Sequence, residues 1–321
     1  MSGKKCLVTG ANGFLGSHLV EELLRQGHEV TCLVRKTSDL RWLEGLKVNY
    51  LHGDIAREPL PEAIGDFEIV FHTAGLIATK HPKEFYAVNR DGTARLITRF
   101  AELGARPAFV YVSSLAAAGP SPDGTPVTEE SPPRPVSHYG RSKLEAEREV
   151  LKHAEQMTVA VVRPPVIYGP RDRGMLKFFE AAMRIIVLPG LREKRVSVLH
   201  VRDVVSGIIA AAGSKTGEVY FLASDRAYAW TELADAINRA VGRDAGLLRI
   251  PDWSLTVLAA VSSLLKLSPF LSLDKARELR QTYWVASADK AKRLLGWQET
   301  VDLATGVEET AEWYRQQGMI R

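Results

Sequence analysis

Tyr139-Gly140-Arg141-Ser142-Lys143 sets a phenol and an ammonium four residues apart, on one face if the segment is helical. A free tyrosine titrates near ~10 and is a poor acid–base at neutral pH. An ammonium beside it favours the phenolate and moves it toward a useful range. Such a pair is commonplace by itself, and its neighbours decide its meaning. Val112-Ser113-Ser114 ends an apolar run, and a serine hydroxyl there can hold a carbonyl beside Tyr139 and stabilise a developing alkoxide. Asn89, in Val88-Asn89-Arg90-Asp91-Gly92-Thr93, is placed either to order a proton-relay water or simply to bend its helix. The candidate catalytic set is therefore Ser113 or Ser114 with Tyr139, Lys143 and Asn89, and the chemistry is proton transfer at a carbonyl oxygen.

A hydride carrier suits that chemistry, and Thr9-Gly10-Ala11-Asn12-Gly13-Phe14-Leu15-Gly16 offers it a seat between an apolar run and a helical pattern. Gly10 permits a tight turn, Gly13 lets a pyrophosphate approach the helix N-terminus, and Gly16 lets helix and strand pack closely. The second apolar run ends in Arg35-Lys36-Thr37-Ser38, with no acid before Asp39. NAD sites place an acid there for the ribose hydroxyls, whereas a 2′-phosphate needs a cation, so NADP(H) is favoured and NAD is the alternative. The other reading of Arg35 and Lys36 is a solvated basic turn. Asp54, in His52-Gly53-Asp54-Ile55, either accepts from the adenine amino group or caps a turn. The expected cofactor contacts are Gly10, Asn12, Gly13, Phe14, Leu15, Gly16, Arg35, Lys36, Asp54, Ile55, Thr73, Ala74, Gly75, Tyr139, Lys143, Pro164 and Val166.

The elements that must position these residues follow from hydrophobic periodicity. Lys5–Thr9, Glu29–Val34, Val48–His52, Glu68–Thr73, Ala108–Ser113 and Val159–Arg163 read as strands, and the first five as apolar on both faces. Leu15, Leu19, Leu23 and Leu24 mark a helix closed by Gly27, and further helices are expected over Glu84–Leu103 and Ser137–Ala154. The alternation predicts an α/β, Rossmann-type doubly wound parallel sheet over residues 1–165. Pro164, Pro165, Gly169, Pro170 and Gly174 mark a change of character, so residues 166–321 read as a smaller, mixed α/β substrate-binding portion, with 198–212 returning to the sheet.

Composition narrows the class. In 321 residues, 45% are hydrophobic and 25% charged, as in an ordinary soluble globular protein. A net charge of +4 with interleaved acids argues against nucleic acid as a partner. Cys6 and Cys32 lie in apolar runs and read as buried free thiols, which predicts a reducing compartment; no metal-ligand spacing appears. The start reads as a strand rather than a signal peptide, and no 18-residue uncharged apolar stretch occurs, so the expected location is the cytoplasm.

Together these residues resemble the extended short-chain dehydrogenase/reductase family, which includes nucleotide-sugar epimerases and dehydratases, dihydroflavonol reductases and 3β-hydroxysteroid dehydrogenases. The resemblance runs over nearly the whole chain. It takes in residues 9–16, Gly53-Asp54, Asn89 to Thr93, Ser113-Ser114, Tyr139 to Lys143, Arg163-Pro164 to Tyr168-Gly169-Pro170, His200-Val201-Arg202-Asp203-Val204, and Ala288-Asp289-Lys290-Ala291 with Leu295-Gly296-Trp297. It implies Tyr139 as general acid/base, Lys143 as its partner, Ser114 rather than Ser113 as the carbonyl-holding hydroxyl, and a homodimer through the helices containing Asn89 and Tyr139.

Departures separate the branches. The family's dehydratases carry an acid after the catalytic hydroxyl, whereas Ser114 is followed by Leu115-Ala116-Ala117-Ala118. Nucleotide-sugar enzymes commonly have an asparagine where Val166 stands, and a tyrosine usual before Gly119 is missing. With Arg35, these features resemble the reductase and steroid-dehydrogenase branch and imply hydride transfer to or from a largely apolar carbonyl compound. The alternatives are a nucleotide-sugar 4-epimerase with resident NAD and a non-catalytic NADP(H) sensor.

Trp253–Leu265 is uncharged, with Leu258, Val261 and Leu265 at helical spacing. It is too short to span a bilayer and reads as a helix packed in the second portion, a lid over an apolar pocket, or a shallow membrane contact. Leu76 to His81 is expected at the pocket mouth, with His81 a loop residue.

Overall fold

The computed structural model describes residues 3–57, 60–264 and 272–320. Fourteen strands are present among them: β1 Lys5–Thr9, β2 Glu29–Val34, β3 Asn49–His52, β4 Ile69–His72, β5 Ala108–Val112, β6 Val159–Arg163, β7 Val166–Tyr168, β8 Ile185–Pro189, β9 Arg195–Val196, β10 Val198–His200, β11 Glu218–Phe221, β12 Tyr228–Ala229, β13 Gly246–Ile250 and β14 Tyr283–Trp284. The helices are α1 Phe14–Arg25, α2 Pro82–Phe85, α3 Thr93–Glu102, α4 Leu115–Ala118, α5 His138–Leu151, α6 Leu176–Ala182, α7 Val201–Ala211, α8 Trp230–Val241, α9 Asp252–Leu264, α10 Leu273–Leu279, α11 Asp289–Leu295 and α12 Leu303–Gln316.

Seven strands form one sheet in the order β11-β6-β5-β4-β1-β2-β3, every neighbouring pair parallel. The order reverses between β1 and β4, so the carboxyl ends of these strands open the crevice where doubly wound folds take ligands. Leu19, Val20, Leu23, Val204 and Ile208 cover one side of the sheet, and Ile64, Leu96, Ile97, Phe100 and Val150 the other. Burial on both faces explains why β1, β4, β5 and β6 read as unbroken apolar runs. The sheet is thus the Rossmann-like α/β architecture that the periodicity predicts.

Three local features differ from the sequence reading. β3 is an edge strand whose Asn49, Tyr50 and His52 are exposed, since among the described residues no further strand pairs on its outer side. The helix expected over Glu84–Leu103 is interrupted: a π-helical stretch, Tyr86–Gly92, lies between α2 and α3. The seventh strand, β11, lies deep in the second half of the chain and pairs Glu218–Phe221 with Ala160–Arg163. The helix α7 leads into it, in line with the expected return of residues 198–212 to the sheet, but the strand itself is not read from the sequence.

A second core, around Phe179, Ile186, Leu188, Leu233, Ile237, Val307 and Tyr314, is built by α6, α8, α12 and the β8–β13 ribbon. A small separate cluster of Leu255, Ala259 and Ala276 joins α9 to α10.

Candidate active site

The glycine turn has the geometry its residues require. Gly10 sits at φ +68, where a side chain would also lie 2.7 Å from the Ala74 nitrogen. A Cβ on Gly16 would lie 2.1 Å from the Gly10 oxygen, so helix and turn pack as closely as glycine allows. Gly13 is exposed and heads α1, whose N-terminus carries no side-chain cap and no acid in its first turn. Open amides at the positive end of the helix dipole fit a phosphate. Asn12 donates to the Asp39 carbonyl at 3.1 Å, tying this turn to the basic one.

Arg35 and Lys36 are exposed, and neither side chain has an ion-pair partner among the described residues. Ser38 Oγ accepts from the Arg35 amide at 3.2 Å and shapes the turn. Asp39, the first acid after β2, is held by Arg41 at 2.6 Å, which also keeps its carboxyl below the usual range. Asp54 accepts from the Ala56 amide at 2.9 Å and so caps a turn with one oxygen. Ile55 is buried against Gly92.

The loop after β4 is held by a directional chain of hydrogen bonds. The Ala74 amide donates to Thr9 Oγ1 at 3.2 Å, leaving that hydroxyl to donate to His72 Nδ1 at 2.6 Å. His72 Nε2 then donates to Thr93 Oγ1 at 2.8 Å, and Thr93 donates to the Asn89 carbonyl at 2.6 Å. Burial lowers His72 to about 3, so it is neutral and these bonds set its tautomer. Thr73 donates to the Thr9 carbonyl at 2.7 Å, and a Cβ on Gly75 would lie 3.3 Å from Asn89 Oδ1 and 3.5 Å from Lys143 Nζ. Gly75 therefore marks where this loop, Asn89 and Lys143 meet.

Asn89 is fully buried. It accepts from the Leu76 amide at 2.7 Å and donates to the Leu76 carbonyl and Ser142 Oγ, both at 3.0 Å. Its amide thus fastens the loop after β4 to α5. The extra residue of the π-helical stretch sets Asn89 at this junction.

Ser137 caps α5, on which Tyr139 and Lys143 share a face, as their spacing predicts. Tyr139 is half-buried against Phe85, with the Ser114 hydroxyl near enough to its phenol to favour the ionised form. Ser114 heads α4 directly after β5, accepting from the Ala116 amide at 3.1 Å. Ser113, one residue earlier, is buried and donates to Glu147. Lys143 is buried, with Nζ 2.6 Å from the Val112 carbonyl and 4.4 Å from the Tyr111 ring centre. The Pro164 carbonyl accepts from the Leu115 amide at 2.8 Å, and Val166 beyond it is exposed at the start of β7.

Electrostatics depart from the simple picture of a phenol eased toward ionisation. Burial pushes Tyr139 up to about 12, with the nearby Ser114 hydroxyl opposing it and Glu278 adding to it. Burial lowers Lys143 to about 7, with the Glu147 carboxylate opposing it. For each group, desolvation of the charged form is the largest cause. The site holds a protonated phenol beside a lysine poised to change charge near neutrality.

Sequence reasoning missed two sets of carboxylates. Glu147 lies four residues beyond Lys143 on the same helical face and pairs with Arg163 at 2.6 Å, both side chains buried. That spacing was visible in the sequence. Asp274 and Glu278, from α10, reach the start of α5: Asp274 accepts from the His138 and Tyr139 amides at 2.7 and 3.1 Å, and Glu278 accepts from Ser137 Oγ at 2.6 Å. No local pattern announces a contact across that stretch of chain. Among the described residues no cluster of metal-ligating side chains occurs.

A glycine turn at the sheet's switch point and a Ser–Tyr–Lys face beside it define a nucleotide-cofactor oxidoreductase of the short-chain dehydrogenase type. The family model described as "NAD dependent epimerase/dehydratase family" matches residues 6–223, and the chain belongs to that family. It is 33% identical to a ceramide reductase of Caulobacter vibrioides over 98% of this chain and 95% of that one. It is 29% identical to the mouse (Mus musculus) sterol-4-alpha-carboxylate 3-dehydrogenase, decarboxylating, over 96% and 90% of the two chains. The fold matches a Thermotoga maritima UDP-glucose 4-epimerase with a TM-score of 0.82 at 24% identity, covering 98% of this chain and 99% of that one.

Proposed function

We propose that the protein is an NADP(H)-dependent oxidoreductase that transfers hydride between the nicotinamide and a carbonyl or secondary alcohol of a largely apolar, lipid-like substrate. The observation that carries this reading is the Ser114–Tyr139 hydroxyl pair, with Lys143 on the same helix face and Ser113 withdrawn onto Glu147. The bound cofactor supplies or accepts the hydride. Gly10, Gly13 and Gly16 with the open end of α1 would hold its pyrophosphate, and Arg35 and Lys36 its 2′-phosphate. Asp39 is engaged by Arg41, which supports NADP(H) over NAD.

In reduction, Ser114 holds the carbonyl oxygen while Tyr139 gives it a proton from Oη. Burial keeps Tyr139 protonated until that step, and Lys143 as ammonium stabilises the phenolate left behind. Asn89 holds the Gly75 loop against this centre through its bonds to Leu76 and Ser142.

An apolar substrate is supported by the acid-free Leu115 to Ala118, by Val166, and by the two relatives whose names specify a ceramide and a sterol. It is supported also by α9. Leu255 and Ala259 pack toward α10, whereas Trp253 is 67% exposed and Val257, Leu258 and Val261 are 46–52% exposed. The packed-helix expectation therefore holds for one face only, and Leu265 lies outside the described residues. The bare face suits shallow contact with a lipid surface, and among the described residues no helix is long and apolar enough to cross a membrane. The buried free thiols Cys6 and Cys32 support a reducing, cytoplasmic setting.

The test is NADPH oxidation with apolar ketones, sterols, flavonols and nucleotide sugars. Turnover with an apolar ketone is expected. Tightly held NAD in the purified protein with sugar-nucleotide turnover would instead establish the epimerase reading.

A further inference from the structure

α5 begins with backbone donors that its own turns cannot satisfy. Ser137 Oγ accepts from the Gly140 amide at 2.9 Å, and the Ser137 carbonyl takes the Arg141 amide at 3.1 Å. The two remaining amides, of His138 and Tyr139, are taken by the separate oxygens of one carboxylate, Asp274. Glu278, one turn further along α10, receives the Ser137 proton and thereby orients the serine lone pair toward Gly140. Asp274 and Glu278 are both 7% exposed. Their charges lie at the positive end of the α5 dipole, with Arg277 3.5 Å from Asp274 and Lys275 2.9 Å from Glu278.

Ile77, Phe85, Tyr139, Asp274, Lys275 and Glu278 line a partly open cleft of about 10 Å³. That is room for one water and not for a carbonyl substrate. Among the described residues α10 packs on α9 through the small core of Leu255, Ala259 and Ala276, and is tied to the body by Lys194 Nζ on the Leu279 carbonyl at 2.6 Å and Trp284 Nε1 on the Glu278 carbonyl at 3.0 Å.

We propose that Asp274 is a positioning residue for Tyr139, and that its carboxylate completes the N-terminus of the catalytic helix. The proposal rests on the reading of Tyr139 as the proton-transfer residue. The two amide bonds to Asp274 hold the backbone of Tyr139, so a residue of the second portion sets the alignment of the acid.

The experiment compares Asp274→Ala and Asp274→Asn with wild type by amide hydrogen exchange and by steady-state kinetics. In Asp274→Ala the His138 and Tyr139 amides should exchange about 10- to 100-fold faster, those of Leu144 to Val150 at wild-type rates. Asp274→Asn keeps one acceptor and should fall between. Carbonyl turnover of Asp274→Ala should drop about 10-fold or more in kcat with the NADPH Kd unchanged. Unchanged exchange at His138 and Tyr139 overturns the proposal. Faster exchange with wild-type kcat overturns it too, since the contact would then only stabilise the fold. The exchange arm contains neither substrate nor cofactor, so it reads the contact whether or not the reductase assignment stands.

Discussion

The Ser113 hydroxyl donates to the Glu147 carboxylate, which is itself paired with Arg163 through two hydrogen bonds of 2.9 and 2.6 Å. This contact turns Ser113 away from the cleft and leaves Ser114 to meet Tyr139. Two adjacent serines thus have separate tasks. Ser114→Ala is expected to lower kcat about 10²- to 10³-fold with little change in melting temperature. Ser113→Ala is expected to leave kcat within a few-fold and to cost about 1–2 kcal/mol of stability. Kinetics and thermal melts on the two variants check this, and the opposite pattern would exchange their roles.

Glu147 and Arg163 are a buried ion pair that also anchors the Lys143 face of α5. Removing one partner strands a charge away from water. Glu147→Gln should therefore cost about 3–5 kcal/mol in urea unfolding. Glu147→Met with Arg163→Met should recover most of that loss, because neither charge is then left unpaired. A double variant as unstable as the single one would show that the pair is not the source of the effect.

The pH dependence follows from Lys143, not Tyr139. Tyr139 is pushed up to about 12 and stays protonated across the working range. Lys143 is lowered to about 7, so its ammonium is lost as pH rises through neutrality. For carbonyl reduction, kcat/KM should be flat on the acid side and fall above an apparent pKa of about 7.

The same shift makes a stability prediction. Between about 7 and the ordinary 10.5 the unfolded lysine binds more proton than the folded one, so wild-type stability gains with pH in that window. Lys143→Met removes this gain, and its stability relative to wild type should decline by roughly 2–5 kcal/mol from pH 6 to pH 10. Urea melts at both pH values read it.

Cofactor choice is assigned to Arg35 and Lys36, whose exposed charges have no ion-pair partner among the described residues. Arg35→Ala should weaken NADPH binding about 10- to 100-fold and NADH binding less than about 3-fold. Equal losses for both would return Arg35 to a solvated turn.

Much of this was legible in the chain because it is local. Lys5–Thr9, Glu29–Val34 and Val159–Arg163 match β1, β2 and β6 end to end, since strands covered on both faces must be apolar throughout. Gly10 and Gly16 were legible because the backbone conformation and the close packing there exclude a Cβ. What was hidden is long-range or a matter of register. β11 is defined by its ladder to β6, the π-helical stretch around Asn89 by a shifted hydrogen-bond pattern, and Asp274 by a contact with Tyr139 across the fold. Periodicity marked α9 as apolar without showing that Leu258 and Val261 face outward. Spacing also paired Tyr139 with Lys143 without revealing that burial governs both of their charges.

The central claim is hydride transfer from NADPH to an apolar carbonyl with Tyr139 as proton donor. The direct measurement is turnover with NADPH deuterated on the transferred face of nicotinamide C4, followed by mass spectrometry of the product alcohol. The account predicts one deuterium at the carbinol carbon for wild type, and for Tyr139→Phe a product yield lower by about 10²- to 10⁴-fold with NADPH still bound. Undiminished label transfer by Tyr139→Phe, or no label in the product of any carbonyl that wild type converts, would contradict it.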